Sequence, residues 1–561
     1  MAKMKCGIAA VQALRAAGVS RVFGLMGSST LEIYDALYDA KDMLYIGVRH
    51  ENCGMHMADA YARVTQTPGV FICGQAGPGS ANMTLGLMAA KLAYSPVLVI
   101  TGLPGTGDLG KDTFQEIDQQ TLFLPVSKRV MTVTRPERVP EVLLEAYRVA
   151  NAGRRGPVVV QIPRDLLNHD IDVTIPAKGG QPDVVAGTVE RPTLERIRDM
   201  ILAAKAPVIH AGAGIKWGRG TDALVKLAEK LQLPITNSAG HTDIVPMDHP
   251  LYAGGAGARG NPVATALIKE SDLILALGTR LGFNTTRFTN DVIPAGARIV
   301  QVDIDPLALG RYYPIEFGIA ADAGTVANGL ADIMSPIPAA TAPWRARNEK
   351  FVKDRKELWR GREEIAGRGA KVLHPETVYS ELRKVAPRNA LFTIDAGTTG
   401  LQATDKLPCH TVPSLIAPLD CGNIGFSYAA GLGAKVAAPE RPVISLMGDG
   451  GFGMTMGEMN TAVQSQINSI ALVMDNGTWG AEIAYQRDFY NKRYIGAHVV
   501  SPRYDEVMKL CGGAGYYVTA PGETADAVSH AMKEGKPTVI HVKVDPDAVL
   551  SFRTDALKKS A

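Results

Sequence analysis

At 561 residues the chain is about three to four times the length of an ordinary domain of ~100–200 residues, which excludes a single compact module. Hydrophobic residues make up 46% and charged residues 20%, which excludes a disordered chain and supplies large cores. The 59 basic and 56 acidic residues leave a net +3; with no basic block or aromatic-interleaved Arg/Lys stripe, the expected partners are a small-molecule substrate and further copies of the chain, with no nucleic acid and no membrane. Residues 1–20 begin with basic residues, but Gln12 and Arg15 interrupt the apolar part, so a first amphipathic helix is expected rather than a leader. Short β-branched runs then alternate with helical stretches: strands are expected at Arg21 to Gly24, Leu44 to Val48, Val70 to Cys73 and Val97 to Thr101. The Leu44 strand runs into Arg49-His50-Glu51-Asn52 and a helix through Ala58, Tyr61 and Arg63, placing Glu51 in a first turn, where a carboxylate is favoured by the helix dipole. Apolar runs such as Ser95 to Leu103 fall short of the ~20 residues that span a bilayer.

Two Pro-, Gly- and Ala-rich segments, Ile175 to Thr193 and Met334 to Pro343, read as linkers. They divide the chain into expected domains at 1–175, 190–335 and 365–550. The middle part places strands at Val208 to His210, Leu273 to Leu277 and Ile299 to Val302, with Gly212-Ala213-Gly214-Ile215 after the first. Glycines closing a strand-to-helix turn explain that motif without a ligand, and a nucleotide or CoA reading stays open. The third part offers strands at Val443 to Met447, Ile470 to Met474 and Thr538 to Val544. The expected fold class is therefore α/β, three doubly wound domains with mainly parallel sheets, whose ligands sit beyond the carboxyl ends of the strands. The six cysteines include no CxxC pair, which fits neither a disulfide framework nor a zinc site and makes a reducing cytoplasm the default.

The most informative stretch is Gly448-Asp449-Gly450-Gly451-Phe452-Gly453, after a buried-strand run and before a helical stretch from Thr455 to about Gln466. Its glycines fit a dinucleotide fingerprint with Asp475 as the distal acid. Against that, Asp449 stands where a pyrophosphate would approach, and a carboxylate there repels the anion unless a cation intervenes. Asp449 and Asn476 leave the ends of two strands that, as neighbours, lie ~4.8 Å apart, so both can supply oxygen to one Mg²⁺. A tight turn with Asp449 as an N-cap is the plainer reading.

Gly448-Asp449-Gly450 followed by Asn476, 27 residues beyond Asp449, resembles the diphosphate-binding signature of thiamine diphosphate enzymes. The resemblance covers almost the whole chain and implies pyrimidine-binding, central and diphosphate-binding domains. It implies that Asp449, Asn476 and the Thr478 carbonyl bind Mg²⁺, with Gly448, Gly450, Gly451, Trp479 and Gly480 around the cofactor. Gly422-Asn423-Ile424 resembles the segment whose bulky apolar residue, here Ile424, props the cofactor into its bent form. Glu51 falls on the glutamate that hydrogen-bonds N1′ of the aminopyrimidine, where a carboxyl in a partly desolvated pocket can shuttle the activating proton. In this family Glu51 and the Asp449–Asn476 pair come from two subunits, so a homodimer is the minimum unit and a homotetramer is expected.

Within the family, Gly74 to Gly79 with Asn82, Phe114-Gln115-Glu116 and Gly156 to Asp165 resemble acetolactate synthases. Their Arg-Phe-Asp-Asp-Arg stretch near the flavin reads Gly278-Thr279-Arg280-Leu281-Gly282-Phe283-Asn284 here, so FAD is not expected, and Tyr485 stands where those synthases place a tryptophan. Trp479 to Glu482 with Asp488 to Asn491, Phe23 to Ser28, Phe114 to Gln119 and Leu277 to Gly282 resemble the sulfoacetaldehyde acetyltransferase branch. That branch implies cleavage of sulfoacetaldehyde with phosphate to acetyl phosphate and sulfite. Gln115 is then expected at the reaction centre, and Ser28, Gln115, Arg487, Lys492 and Arg493 as contacts for substrate anions. The alternatives are a decarboxylating carboligase acting on 2-oxo acids and a 2-hydroxyacyl-CoA lyase or oxalyl-CoA decarboxylase.

Overall fold

The structure is a computed structural model that describes residues 2–176, 187–257, 259–368 and 372–551. Three six-stranded sheets, each parallel throughout, organise the chain. The first runs Leu44–Gly47, Arg21–Leu25, Gly69–Cys73, Val97–Leu103, Val158–Pro163, Arg129–Thr132 across its width. The third runs Leu415–Ile416, Leu391–Ile394, Val443–Gly448, Ile470–Asp475, Thr538–Lys543, Ala514–Val518. Counted in chain order within each sheet, both have strand order 2-1-3-4-6-5. The middle sheet runs Tyr252–Gly255, Ile235–Asn237, Pro207–Ala211, Leu273–Leu277, Arg298–Asp303, Phe317–Ala320, an order of 3-2-1-4-5-6. The central strands read as continuous apolar runs because helices cover both faces: all residues of Val97–Leu103, Val158–Pro163 and Ile470–Asp475 are buried. In each sheet the direction of winding reverses between two strands, and a crevice opens there at the carboxyl ends.

Several elements depart from the sequence expectation. The first residues form a strand, Ala2–Lys5, paired antiparallel with Asp170–Val173, and the helix starts only at Cys6; Lys3 and Lys5 are exposed, the alternation of an edge strand. The stretch expected as one helix after Gly453 is a turn and a short helix, Glu458–Gln464, because Asp449–Gly453 already takes a helical turn. Helix Arg191–Ala203 begins inside the first expected linker, of which 177–186 lie outside the described residues. The second is followed by a helix of 22 residues, Arg345–Ala366, that lays Arg362 on Asp405 of the third domain (2.9 Å) and Arg347 on the Pro207 carbonyl of the middle one (2.8 Å). No described helix is long and apolar enough to cross a membrane, and none of the six cysteines is paired.

The first and third domains meet through helices Glu51–Thr65 and Ser427–Ala437. Gly433 lets the second ride directly on the backbone of Met57, where a Cβ would collide. Glu458 of the third domain accepts from the amides of Arg49 and His50, each at 3.0 Å, and Arg63 donates to the Ala417 carbonyl at 2.6 Å.

Candidate active site

The third sheet reverses between Leu391–Ile394 and Val443–Gly448, and the crevice there is a cavity of about 520 Å³. Gly448, Gly450 and Gly451 line one side, Asn476, Thr478, Trp479 and Gly480 another, and Gly422 and Ile424 a third. The neighbouring strands are in register with Gly448 opposite Met474, so Asp449 and Asn476 emerge from adjacent carboxyl ends. Small residues are required here by contact: a Cβ on Gly450 would come within 2.5 Å of the Trp479 ring, and one on Gly451 would strike Asp395 Oδ2.

Asp449 is fully buried. Its Oδ2 accepts from Ser501 Oγ at 2.8 Å and its carbonyl from the Tyr504 hydroxyl at 3.1 Å, while Oδ1 has no hydrogen-bond partner. Burial pushes its carboxyl up from the ordinary range. A buried carboxylate oxygen with no donor costs several kcal/mol unless a cation meets it. Beside it, Asn476 Oδ1 accepts from the Thr478 amide at 3.0 Å, which curls the loop so that both residues line the cavity. The donor set of one carboxylate, one amide oxygen and main-chain carbonyl is that of a hard oxygen-seeking cation completed by diphosphate, so these residues fit Mg²⁺. The rival dinucleotide reading loses its distal acid. Asp475 is engaged by His541 Nε2 (2.9 Å), Lys543 Nζ (3.0 Å) and the Gly477 amide (2.9 Å); burial raises its carboxyl, but His541 and Lys543 outweigh that and hold it down at about 2.

The bend at Ile424 is held by a residue the sequence reading passed over. Asp395, at the end of Leu391–Ile394, accepts from the amides of Gly425 (2.9 Å), Phe426 (2.7 Å) and Ser427 (3.1 Å). Its burial is deep enough to push the carboxyl up to about 6 despite three donors. The loop that follows, Asp395 to Gly400, lines the cavity and brings a buried, unpartnered hydroxyl, Thr398 Oγ1, to it. The available signal was another glycine turn after a strand, with Gly397 at φ 83°. Asn423 joins the Gly422–Gly425 loop to the first domain through His56 Nε2 at 3.2 Å.

Glu51 opens its helix and is 6% exposed, with Oε2 accepting from Asn82 Nδ2 at 3.0 Å. Near it lies the reversal point of the first sheet, where Ser28 Oγ bonds Gln75 Oε1 at 3.3 Å and the Gln115 carbonyl covers Gly77. Glu51, Ser28 and Gln115 thus share one end of the first sheet, and within one chain none of them lines the third-domain cavity. Nor do Arg487, Lys492 and Arg493. Arg487 pairs with Asp488 and donates to the carbonyls of Asp547 and Val549, and the other two are exposed. The cation that does line the cavity, alone among its described Lys and Arg neighbours, is Arg259 of the middle domain, which donates to the Leu419 carbonyl at 3.4 Å.

A second cavity of about 670 Å³ opens at the reversal point of the middle sheet, between Gly212–Gly214 and Gly278–Thr279. The glycines there allow loop to pack on loop: a Cβ on Gly214 would lie 2.6 Å from Gly278 Cα. Arg154, Arg155, Arg219 and Arg280 stand on its walls.

Comparison with known proteins places these domains. Residues 4–122 match the model of the thiamine pyrophosphate enzyme N-terminal TPP binding domain, 194–330 that of the central domain and 395–542 that of the C-terminal TPP binding domain. A sulfoacetaldehyde acetyltransferase of Alcaligenes xylosoxydans xylosoxydans is 34% identical over 99% of this chain and 96% of its own. Another from Castellaniella defragrans is 34% identical over 98% and 94%. A probable acetolactate synthase large subunit of Methanocaldococcus jannaschii is 31% identical over 98% and 93%.

Proposed function

Because this chain belongs to the thiamine pyrophosphate enzyme family and is an enzyme dependent on that cofactor, we propose that it is an acyl-transferring member acting on sulfoacetaldehyde with phosphate as acceptor and Mg²⁺ as the bridging ion. The observation that carries the metal site is the buried Asp449 Oδ1 with no protein partner, at a strand end adjacent to the one that leads into Asn476 and Thr478. Bound thiamine diphosphate supplies a carbon nucleophile that cleaves a bond beside a carbonyl. The chain's residues do the rest. Asp449, Asn476 and the Thr478 carbonyl hold the cation that offsets diphosphate charge, and Ile424 presses on the cofactor from the loop that Asp395 fixes. Glu51 exchanges a proton at the aminopyrimidine N1′, and since it does not line the cavity of its own chain, a second copy brings it there, making a homodimer the working unit. Arg259 gives the cavity a cation for the anionic end of a small substrate, the position first sought in Arg487, Lys492 and Arg493.

Sulfoacetaldehyde is favoured by two relatives of that name, each 34% identical over nearly the whole chain. The overall change balances as OHC–CH₂–SO₃⁻ plus HPO₄²⁻ giving CH₃–CO–OPO₃²⁻ plus HSO₃⁻. The test is direct: purified protein with thiamine diphosphate and Mg²⁺ is given sulfoacetaldehyde with and without phosphate, and sulfite and acetyl phosphate are assayed. Phosphate-dependent sulfite supports the reading. Carbon dioxide release from pyruvate, with no sulfite from sulfoacetaldehyde, replaces it with the acetolactate synthase reading that the 31% relative favours.

A further inference from the structure

The two loops that carry the proposed metal-binding oxygens are joined by a run of hydrogen bonds that passes through one histidine. Ser501 Oγ donates to Asp449 Oδ2 (2.8 Å) and the Tyr504 hydroxyl to the Asp449 carbonyl (3.1 Å). The Tyr504 amide donates to His541 Nδ1 (3.1 Å), His541 Nε2 meets Asp475 Oδ2 (2.9 Å), and Asp475 Oδ1 accepts from the Gly477 amide (2.9 Å). Gly477 sits between Asn476 and Thr478. An imidazole nitrogen that accepts from an amide carries no proton, so Nδ1 is the bare nitrogen and Nε2–H is the donor to Asp475. The tautomer is therefore fixed by geometry. His541 is 1% exposed, its ring lies 5.8 Å from that of Tyr504 at 30°, and Tyr504 packs edge-on to Phe452 of the Asp449 turn at 4.9 Å. Gly453 is bare where a Cβ would come 2.7 Å from the Tyr504 hydroxyl, so the support reaches the turn from below without obstruction. The other groups facing the ring are Tyr517, edge-on at 5.5 Å, Asp505, 3.9 Å from Nδ1 and paired with Arg503, and Lys543, which shares Asp475 Oδ2.

The geometry points to His541 as a positioning residue that sets the separation between Asp449 and the Asn476–Thr478 loop, and so selects a small octahedral cation. This rests on the proposed metal site. Mg²⁺ demands near-ideal geometry at ~2.1 Å, whereas Ca²⁺ accepts a looser, larger shell at about 2.3–2.6 Å. A loop pair released from its tie therefore loses Mg²⁺ more than Ca²⁺.

The two ring nitrogens can be tested apart. In His541→Gln the amide nitrogen falls near the Nε2 position and keeps the donor to Asp475 but leaves the Tyr504 amide without its acceptor. In His541→Asn an amide oxygen near the Nδ1 position keeps that acceptor but releases Asp475. Calorimetric titration of Mg²⁺, and separately of Ca²⁺, into the full-length protein with thiamine diphosphate present reads both, with a thermal melt as a fold control. The expected result is a Mg²⁺ dissociation constant raised ~10- to 100-fold in His541→Asn, the range found when outer-shell partners of metal ligands are removed. His541→Gln should be weakened less, and Ca²⁺ affinity should change several-fold less than Mg²⁺ in both. Tyr504→Phe, which deletes only the hydroxyl on Asp449, covers the case in which the histidine variants do not fold, and should shift the same Mg²⁺ to Ca²⁺ ratio in the same direction. Equal losses for the two ions, or Mg²⁺ affinity at the wild-type value in folded variants, overturn the inference. Wild-type protein that binds thiamine diphosphate without any divalent ion instead removes the metal site on which it stands.

Discussion

The cavities of the third and middle domains are made the same way and have opposite character. Each opens where a parallel sheet reverses its winding, each is closed by glycine turns, and their volumes are similar at about 520 and 670 Å³. The third-domain cavity is lined by three acids, Asp395, Glu482 and Asp545, and by one cation, Arg259. Its middle-domain counterpart presents Arg154, Arg155, Arg219 and Arg280 together with Asp303, Asp322 and Asp420; Arg154 lies 3.8 Å from Asp303, Arg280 pairs with Asp420, and burial pulls Arg155 down to about 10. Topology provides the hole in both cases; the charged side chains that line it leave one with an excess of acids and the other with an excess of arginines. The first domain makes the same point from another direction. It shares strand order 2-1-3-4-6-5 with the third, yet its reversal point carries Ser28, Gln75 and a glutamate nearby in place of an aspartate–asparagine pair.

The largest effect expected separates those two equivalent domains. Glu51→Gln should leave cofactor binding intact, because a glutamine amide can still hydrogen-bond N1′ and the diphosphate end is held by other residues, but slow exchange of the cofactor's C2 proton by ~10²–10⁴-fold, the usual contribution of a positioned acid–base group. Hydrogen–deuterium exchange followed by NMR measures it, and an unchanged rate removes the role given to Glu51. Asp449→Asn should do the converse, weakening Mg²⁺ and with it thiamine diphosphate on the order of 100-fold, the scale of deleting one partner from a desolvated charge pair. Mixing the two inactive variants then asks whether the halves come from different chains. Mixed dimers carry one intact site, so re-associated protein should recover about a quarter of wild-type activity; recovery of none places both groups on one chain.

A smaller effect concerns the joint between the domains. His56 lies against the Gly422–Phe426 segment, bonded to Asn423 and edge-on to Phe426 at 5.0 Å, and burial pulls its imidazole down to about 4. Its folded value lies below the unfolded one near 6.5, so the stability it contributes is present above pH 6.5 and is lost as pH falls from there toward 4. The full loss is about 3 kcal/mol over that window. Urea unfolding of His56→Gln should show a shallower acid slope than wild type; identical slopes would assign the acid sensitivity to other groups, such as His210 and His241, which are also held low by burial.

The loops that line the third-domain cavity were legible because they are contiguous residues at strand ends: Gly448 to Gly451 and Asn476 to Gly480 need no knowledge of packing to be found. What stayed hidden depends on distant partners. Strand Ala2–Lys5 is four residues long and exists through pairing with Asp170–Val173. Helix Arg345–Ala366 buries only Phe351 and Arg362, so no apolar stripe announces it. Asp395 looks like any acid after a strand until three amides 30 to 32 residues away are seen to converge on it. Charge alone gave no direction for Arg487, which bends to the Asp547 and Val549 carbonyls, while Arg259 reached the cavity from a domain where no substrate residue was expected.

The finest distinction is whether the two cavities sense each other. They share a wall, Asn284 and Leu419 lining both, and the wall is pinned from the middle domain: Arg280 and Asn284 both engage Asp420, and Arg259 holds the Leu419 carbonyl. Leu419 itself is held at φ 48°, a left-handed conformation that a leucine adopts only when its surroundings impose it. The same loop continues through Gly422, at φ 63°, and Asn423 to Ile424 on the third-domain cavity. Arg280→Gln removes the charge from Asp420 while leaving every third-domain residue in place, so an effect on the cofactor must travel through this loop. Thiamine diphosphate affinity should fall roughly 5-fold, within the range of coupling carried by a packed network, and Asp420→Asn should reproduce it without adding to it in the double variant. Additive losses would mean that the two cavities, alike in construction, act independently.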